Sequence, residues 1–420
     1  MRTASLKTSR MPLWFRGLNH LGRAAALVGV EASLEPDSLM KAAVKTTGGQ
    51  EFTDLSFQEP LEVLCQSMNK EARLHPLGRF FSKVRLTNVL ATRLRAEAYA
   101  RSNSDLLAAP ARSPIVITGL QRTGTTFLQR LLGSVPGLRT LKSWEALNPV
   151  PFEGESAAEK RIAEAKRSEQ ALRVMAPDFF AIHPVEHQSP EEEVLLLDNA
   201  LLSTVPEATM HVPAYSHWLE HQDNEPAYRH LARLLAMLEH PSAEQGQNSP
   251  IWVLKTPHHL EFLEELATVF PDFIWIHTHR DPRETLPSFF SMIWHGRKVF
   301  SDVVPPYEVA MHWGKKVGRM LDRADRFRRE HPSVRVHDVA YRDLVADPLT
   351  TVAGILDFCG LAKSSQERED TLALVKSAMQ NHTAHKYGRH VYDLQDFDLK
   401  ASDLDPWIEE YCQTFKAYIE

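Results

Sequence analysis

Residues 115–132, IVITGLQRTGTTFLQRLL, decide how the rest of the chain is read. Four β-prone residues run into Gly119, a polar turn, Gly124, two threonines and then an amphipathic helical pattern. The two glycines let the backbone turn tightly and approach a ligand closely. The helix that follows presents unpaired N–H groups and the positive end of its dipole. This is a phosphate-binding loop between a strand and a helix. The nucleoside-triphosphate version, G-x-x-x-x-G-K-[ST], carries lysine where this chain has Thr125. The loop offers instead Arg122, whose guanidinium can hold two oxygens at once, and the hydroxyls of Thr123, Thr125 and Thr126. It reads as an anion cradle for something other than ATP as a phosphoryl donor.

Outward from the loop, apolar runs at 114–119, 251–255, 273–280 and 334–341 read as buried strands. Helical patterns at 126–133, 259–269, 283–299, 308–330 and 348–360 separate them. The alternation predicts an α/β fold: a P-loop-like parallel sheet covered by helices on both faces. Residues 1–112, with PLEVLCQSMNKEARL and PLGRFFSKVRLTNVLATRLRAEAYAR, read as an N-terminal helical domain. The breaker-rich SDLLAAPARSP marks the junction, 113–420 forms the second domain, and about 155–250 reads as a helical cap inserted over the strand ends. Ligands of such sheets sit at the C-terminal ends of the strands, and three strands here end in GLQRTGTT, KTPHH and HRDP.

In IHTHRDPRETLPSFF, Arg280 stands at the end of a strand. Asp281, Pro282 and Glu284 follow as a D-x-x-E helix start, and Ser288 lies eight positions after Arg280. Pro287 removes one backbone bond and predicts a kink.

In order, spacing and strand context, GLQRTGTTFLQRLL and HRDPRETLPSFFSM resemble the motif pair with which sulfotransferases bind 3′-phosphoadenosine 5′-phosphosulfate (PAPS). The likeness extends over IWVLKTPHHLEFLEELATVFPDFIWIHTHRDP, DVAYRDLVADPLTTVAGILDFCGL and HKYGRHVYDLQDF, and the helical N-terminus is similar to that of a large bacterial branch. The resemblance implies that Arg122, Thr123, Gly124, Thr125 and Thr126 hold the 5′-phosphosulfate, and that Arg280 and Ser288 hold the 3′-phosphate. It also implies a basic loop, Lys386, Tyr387 and Arg389, that closes over the 3′-phosphate and adenosine. PAPS would be the co-substrate and a hydroxyl of a small molecule or lipid the acceptor. A phosphosulfate is less charged than a triphosphate and has no obligatory Mg²⁺, which suits a loop without the lysine.

Sulfuryl transfer needs a base for the acceptor proton, cations for the leaving phosphate, and in-line alignment. Lys255 and Arg122 fit the cations. Glu145, in RTLKSWEALNPVP, resembles in position the glutamate base of the tyrosylprotein and several bacterial branches. His258, in KTPHHL, resembles the histidine of the cytosolic branch's Lys-Thr-His, with Pro257 inserted. Both remain open as the base.

The bulk of the chain sets further bounds. A net charge of −6 over 420 residues opposes nucleic-acid binding. Three widely spaced cysteines, Cys65, Cys359 and Cys412, suit a reducing cytoplasm. No His, Cys, Asp or Glu set has metal-ligand spacing, HPVEHQ at 183–188 being a bare histidine pair, so no metal is expected. No apolar run reaches the roughly 18 residues of a membrane span. Near the N-terminus Trp14, Leu18, Leu21, Ala25 and Val28 fall at helical spacing, with Arg16 and Arg23 elsewhere on the helix. That pattern fits a membrane-surface helix or one docked on its own protein. The run Glu191–Glu193 reads as a solvated face or helix start. Two rival functions stay in view. A kinase would need a lysine at 125 or a substitute, plus an aspartate for the metal. A nucleotide-binding module would bind without transfer.

Overall fold

The computed structural model describes residues 3–7, 9, 11–103, 112–155, 157–243, 250–362, 364–380 and 389–420, with residues 3, 241–243 and 389 as backbone only. Five strands form one parallel sheet: β1 (Ile115–Gly119), β2 (Leu138–Thr140), β3 (Ile251–Lys255), β4 (Ile274–His279) and β5 (Arg335–Ala340). Their order is β2-β3-β1-β4-β5. The apolar runs account for four of them. β2, Leu-Arg-Thr at the sheet edge, has three residues, too few for a pattern to show.

Both faces of the sheet are buried, which is why the strands read as nearly continuous apolar runs. Val116, Trp252, Leu254 and Trp275 belong to the core shared with the N-terminal helices and the segment between β2 and β3. Ile115, Ile117, Val253 and Ile276 pack on the other side with Leu128 and Leu132 of the helix Thr125–Leu132 and with Ile355 and Leu356 of Pro348–Cys359.

The N-terminal segment folds into helices Leu13–Ala26, Pro36–Thr46, Gln58–Lys70 and Pro76–Ser102. Their buried Leu61, Leu64, Leu86 and Leu90 join the core that also contains Trp252. The segment between β2 and β3 carries Glu159–Met175, Pro177–Ile182, Val194–Leu197, Val205–Thr209, Pro213–Leu219 and Glu225–Ala243, all short except the first and last. The helix expected over 259–269 is divided: Pro257–Glu261 is a 3-10 turn and Leu263–Val269 the helix proper. The helix after β4, Pro282–Lys298, continues as one element through Pro287.

What matters for function is the placement of β1. It lies between β3 and β4, so the loops leaving all three strands stand side by side. In the register, Ile117 pairs with Lys255 and Gly119 with Thr278.

Candidate active site

A β-carbon on Gly119 would lie 2.3 Å from Thr278 Oγ1 and 2.4 Å from the Thr278 carbonyl oxygen. Only glycine lets the chain leave the sheet against β4 at this point. Gly119→Ala is therefore expected to cost about 1–3 kcal/mol, read as a lowered melting temperature in calorimetry. Beyond it the loop places Arg122 at φ 70° and Gly124 at φ 87°. Left-handed backbone at an arginine costs about 1–2 kcal/mol and persists only where its surroundings enforce it. One enforcing contact is visible: Thr123 Oγ1 donates to the Leu120 carbonyl at 2.6 Å and lies 2.7 Å from Thr278 Oγ1. The Thr123 hydroxyl thus pins the loop to β4. Thr125 is buried and Thr126 exposed in the first helical turn.

The second motif meets the first. Arg280 Nη1 donates to the Arg122 carbonyl at 3.2 Å, and its guanidinium lies over the Tyr341 ring, 4.2 Å from the centroid. Asp281 caps the next helix by accepting from Arg283 N at 2.8 Å. Glu284 does not close the expected capping box. It accepts from Arg280 Nε at 3.0 Å instead, holding the guanidinium over the loop. Ser288 is buried, and its hydroxyl has no hydrogen-bond partner among the described residues. A buried hydroxyl left unpaired is costly, and a ligand oxygen would satisfy it. The strand leading to Arg280 is braced from behind. His279 bonds Tyr411 OH and Asp338 Oδ1, each at 2.8 Å, and Arg328 grips both oxygens of Asp338 at 2.6 and 2.9 Å.

At the end of β3, Lys255 Nζ lies 2.6 Å from Glu192 Oε1, and Thr256 Oγ1 donates to Glu192 Oε2 at 3.1 Å. Burial alone would raise the Glu192 carboxyl, but the Lys255 charge and these hydrogen bonds hold it below its ordinary value. Glu193, fully buried, accepts from Lys255 N at 2.8 Å and bonds His259 Nε2 at 2.7 Å, while Tyr228 OH meets His259 Nδ1 at 2.7 Å. The acidic run, read as a solvated face or a helix start, does lead into the helix Val194–Leu197, but it is turned inward, and its second and third members fasten the end of β3.

The two expected bases differ in occupancy. Glu145 is buried, and both its oxygens are used: Oε1 accepts from Arg139 Nη2 at 2.7 Å and Oε2 from Lys142 N at 2.9 Å, capping the helix Ser143–Leu147. His258 is buried against Phe262, with Nδ1 3.3 Å from Thr204 Oγ1 and Nε2 without a hydrogen-bond partner among the described residues. Burial, with the neighbouring His259 and Lys316, keeps its pKa well below the usual value, so the imidazole is neutral. Arg389 lies in a two-residue strand pairing with Thr3–Ala4, while Lys386 and Tyr387 fall outside the described residues.

The Sulfotransferase family profile matches residues 114–365. The chain belongs to the sulfotransferase family. Its fold is similar to that of sulfotransferase STF1 from Mycobacterium tuberculosis H37Rv, at 29% identity and a TM-score of 0.75, over 89% of this chain and 98% of that one. It is also similar to sulfotransferase STF9 from Mycobacterium avium, at 24% identity and a TM-score of 0.79, over 91% and 97%. No curated protein matches the sequence.

Four residues of this sulfotransferase that stand around the loop and the β3 end are not among the site residues read from the sequence. Tyr341 lies under Arg280, and Tyr392 and His390 lie within electrostatic reach of Arg122. Glu192 holds Lys255. Burial, then the Arg122 and His295 charges, push His390 down to about 3, leaving it a neutral donor or acceptor beside the loop. Among the described residues, two groups bring nitrogen and oxygen ligand atoms within 4.8 Å of one another: His277, His279 and Asp338, and His217, Glu220 and His221. In the first, Arg328 already occupies both Asp338 oxygens.

The brace behind Arg280 has a pH signature. Burial would raise the Asp338 carboxyl, but hydrogen bonds from Arg328 and His279, with the Arg328 charge, hold it well below its ordinary value. A depressed carboxyl contributes stability above the unfolded value near 4, and that stability is lost as pH falls below it. The melting temperature of the sulfotransferase should therefore drop more steeply from pH 5 to pH 3 in the wild type than in Asp338→Asn; equal slopes would show that the brace contributes nothing.

Proposed function

We propose that the chain is a PAPS-dependent sulfotransferase that moves the sulfuryl group to a hydroxyl of a small-molecule or lipid acceptor. The observation that carries this reading is the bond from Arg280 to the Arg122 carbonyl, which joins the two anion-binding motifs in one site. Arg122, Gly124, Thr125 and Thr126 would hold the 5′-phosphosulfate, with Thr123 fixing the loop. Arg280 and the unpaired Ser288 hydroxyl would hold the 3′-phosphate, with Lys386, Tyr387 and Arg389 closing over it. PAPS supplies an activated sulfuryl group on a phosphate leaving group. Lys255 and Arg122 carry the positive charge that stabilises the leaving phosphate as it departs.

His258 is the better supported proton acceptor. Its Nδ1 lies 3.3 Å from Thr204 Oγ1 and its Nε2 is unengaged among the described residues, so the tautomer with Nδ1–H would offer an Nε2 lone pair, whereas both oxygens of Glu145 are engaged. His258→Ala should lower kcat by about 10²–10⁴-fold. Glu145→Gln should act mainly on stability. The reverse pattern would move the base to Glu145. The reading as a whole is tested by incubating the protein with PAPS and a panel of phenols, sterols and glycolipids, and following release of adenosine 3′,5′-bisphosphate together with the sulfated product.

Residues 113–420 carry donor binding and chemistry in this reading, with 155–250 over the acceptor, while 1–112 brings the enzyme to a lipid surface. The helix Leu13–Ala26 buries Phe15 and Asn19 and turns Leu13, Trp14, Leu18 and Leu21 outward, Leu13 and Leu21 being 81% and 69% exposed. Leu27 and Val28 continue that apolar face. Residues 1–30 contain five Lys and Arg and no Asp or Glu, in a chain whose net charge is −6. An exposed apolar face in a segment with a net positive charge suits an anionic lipid surface. No helix among the described residues is long and apolar enough to cross a membrane. Co-sedimentation with phosphatidylglycerol vesicles should exceed that with phosphatidylcholine, and Leu18→Ser with Leu21→Ser should weaken it on the order of tenfold. Sedimentation unchanged by the double substitution would remove the membrane from the account.

A further inference from the structure

Away from the loop and the strand ends, a cleft of about 320 Å³ opens between the helices Pro76–Ser102 and Glu225–Ala243, and the segment around Thr53 and Asp54 closes one side. Its volume lies in the range of small-molecule pockets. Neither Arg122, Arg280, Lys255, Glu145 nor His258 lines it.

The lining is unusual in its charge and in its unpaired atoms. Arg93, Arg101 and Arg233 face two carboxylates, Asp54 and Glu97. Arg93 is only 5% exposed. Its Nη2 donates to Asp54 and to Ser56 Oγ, and its Nε forms an ion pair with Glu97 Oε1 at 3.7 Å, but among the described residues that buried Nε has no hydrogen-bond partner. His230 Nε2 is likewise buried without a partner among the described residues. Glu97 spends its other oxygen on Thr53, accepting from the backbone N at 2.8 Å and the hydroxyl at 2.6 Å. Arg101 and Arg233 stand exposed at the mouth. One buried guanidinium donor, Arg93 Nε, is thus left without a hydrogen bond beside a carboxylate oxygen, Glu97 Oε1, that likewise lacks one among the described residues; such a donor is costly, and the cleft beside it is large enough for a ligand to satisfy it. The remaining wall is apolar: Ala96, Ala100, Leu234 and Met237.

We propose that this cleft is a binding site for a small organic anion, its phosphate, sulfate or carboxylate head held by Arg93, Arg101 and Arg233 and its apolar body lying against Leu234 and Met237. The forked guanidiniums supply bidentate, charge-assisted hydrogen bonds to such a head. His230 adds a neutral ring nitrogen at the floor, since burial with the Arg93 and Arg233 charges holds it at about 3. The cleft is also linked to the chemistry. The helix Glu225–Ala243 that forms one wall carries Tyr228, which through His259 and Glu193 reaches the backbone of Lys255.

The test is calorimetric titration with phenyl phosphate, with phenol and inorganic phosphate alongside, after the donor site has been saturated with adenosine 3′,5′-bisphosphate. Phenyl phosphate should bind at one equivalent, phenol and phosphate more weakly, and Arg233→Ala or Arg101→Ala should each weaken it by about tenfold. Both side chains are exposed, so the variants should melt with the wild type. Absence of phenyl phosphate binding, its loss on saturation with the bisphosphate, or affinity indifferent to both substitutions would overturn the site. Equal binding of inorganic phosphate would overturn the apolar part. If the bisphosphate itself fails to bind, the donor reading falls, and the Arg233 and Arg101 variants still decide the cleft.

Discussion

Lys255→Ala is expected to lower kcat by about 10²–10³-fold while changing affinity for adenosine 3′,5′-bisphosphate by no more than about threefold. The ammonium is buried at the end of β3, next to the central strand that bears the phosphate loop, and its backbone is fixed by Glu193. Its charge matters most when the leaving phosphate gains charge, so its loss should appear in the transition state and little in ground-state binding. Glu192 shares that ammonium at 2.6 Å, which explains how a buried lysine is tolerated before donor arrives. Glu192→Gln keeps the shape and removes the pairing charge. It should disturb the placement of Lys255, lowering kcat less than the lysine substitution does and leaving bisphosphate affinity intact. Steady-state kinetics with matched titrations separate these effects. A Lys255→Ala enzyme with near-normal kcat would remove Lys255 from the chemistry.

Arg280→Ala should weaken adenosine 3′,5′-bisphosphate binding by about 10–100-fold, the worth of one or two charge-assisted hydrogen bonds to phosphate. In the free protein the guanidinium is held by the Arg122 carbonyl, Glu284 and the Tyr341 ring, so it is already oriented and little ordering is needed on binding. The effect should be specific to the 3′-phosphate. Adenosine 5′-phosphate, which lacks that group, should bind wild type and variant within about twofold. Equal losses for both nucleotides would mean that Arg280 supports the loop without touching the 3′-phosphate.

The core of the site was legible because it rests on short-range signals. A glycine-bounded turn between a strand and a helix, and an arginine at the end of another strand followed by a capped helix, are encoded within a dozen residues each. Neighbouring parallel strands then bring them together, and the sheet order β2-β3-β1-β4-β5 places their loops side by side. What was not legible depends on contacts across the chain. Glu192 meets Lys255 from 63 positions away, and nothing in a run of three glutamates says that it points inward. Tyr341 is an ordinary residue at the end of β5 until the sheet sets it under Arg280. Glu284 looked like a capping residue because spacing alone cannot weigh a backbone N–H against a neighbouring guanidinium. The helix Leu13–Ala26 left two readings open because periodicity reveals an apolar stripe without revealing which side is covered. The packing shows the covered side, Phe15 inward and Leu13, Leu18 and Leu21 outward, and leaves the membrane contact as a proposal.

The central claim, a PAPS-type donor site built by Arg122 and Arg280 together, is tested most directly by calorimetric titration of the wild-type protein with adenosine 3′,5′-bisphosphate and, separately, with ATP–Mg²⁺. The account predicts tight one-to-one binding of the bisphosphate without added metal and much weaker binding of ATP–Mg²⁺. Preferential binding of ATP–Mg²⁺, with the bisphosphate inert, would contradict it and return the loop to the kinase class.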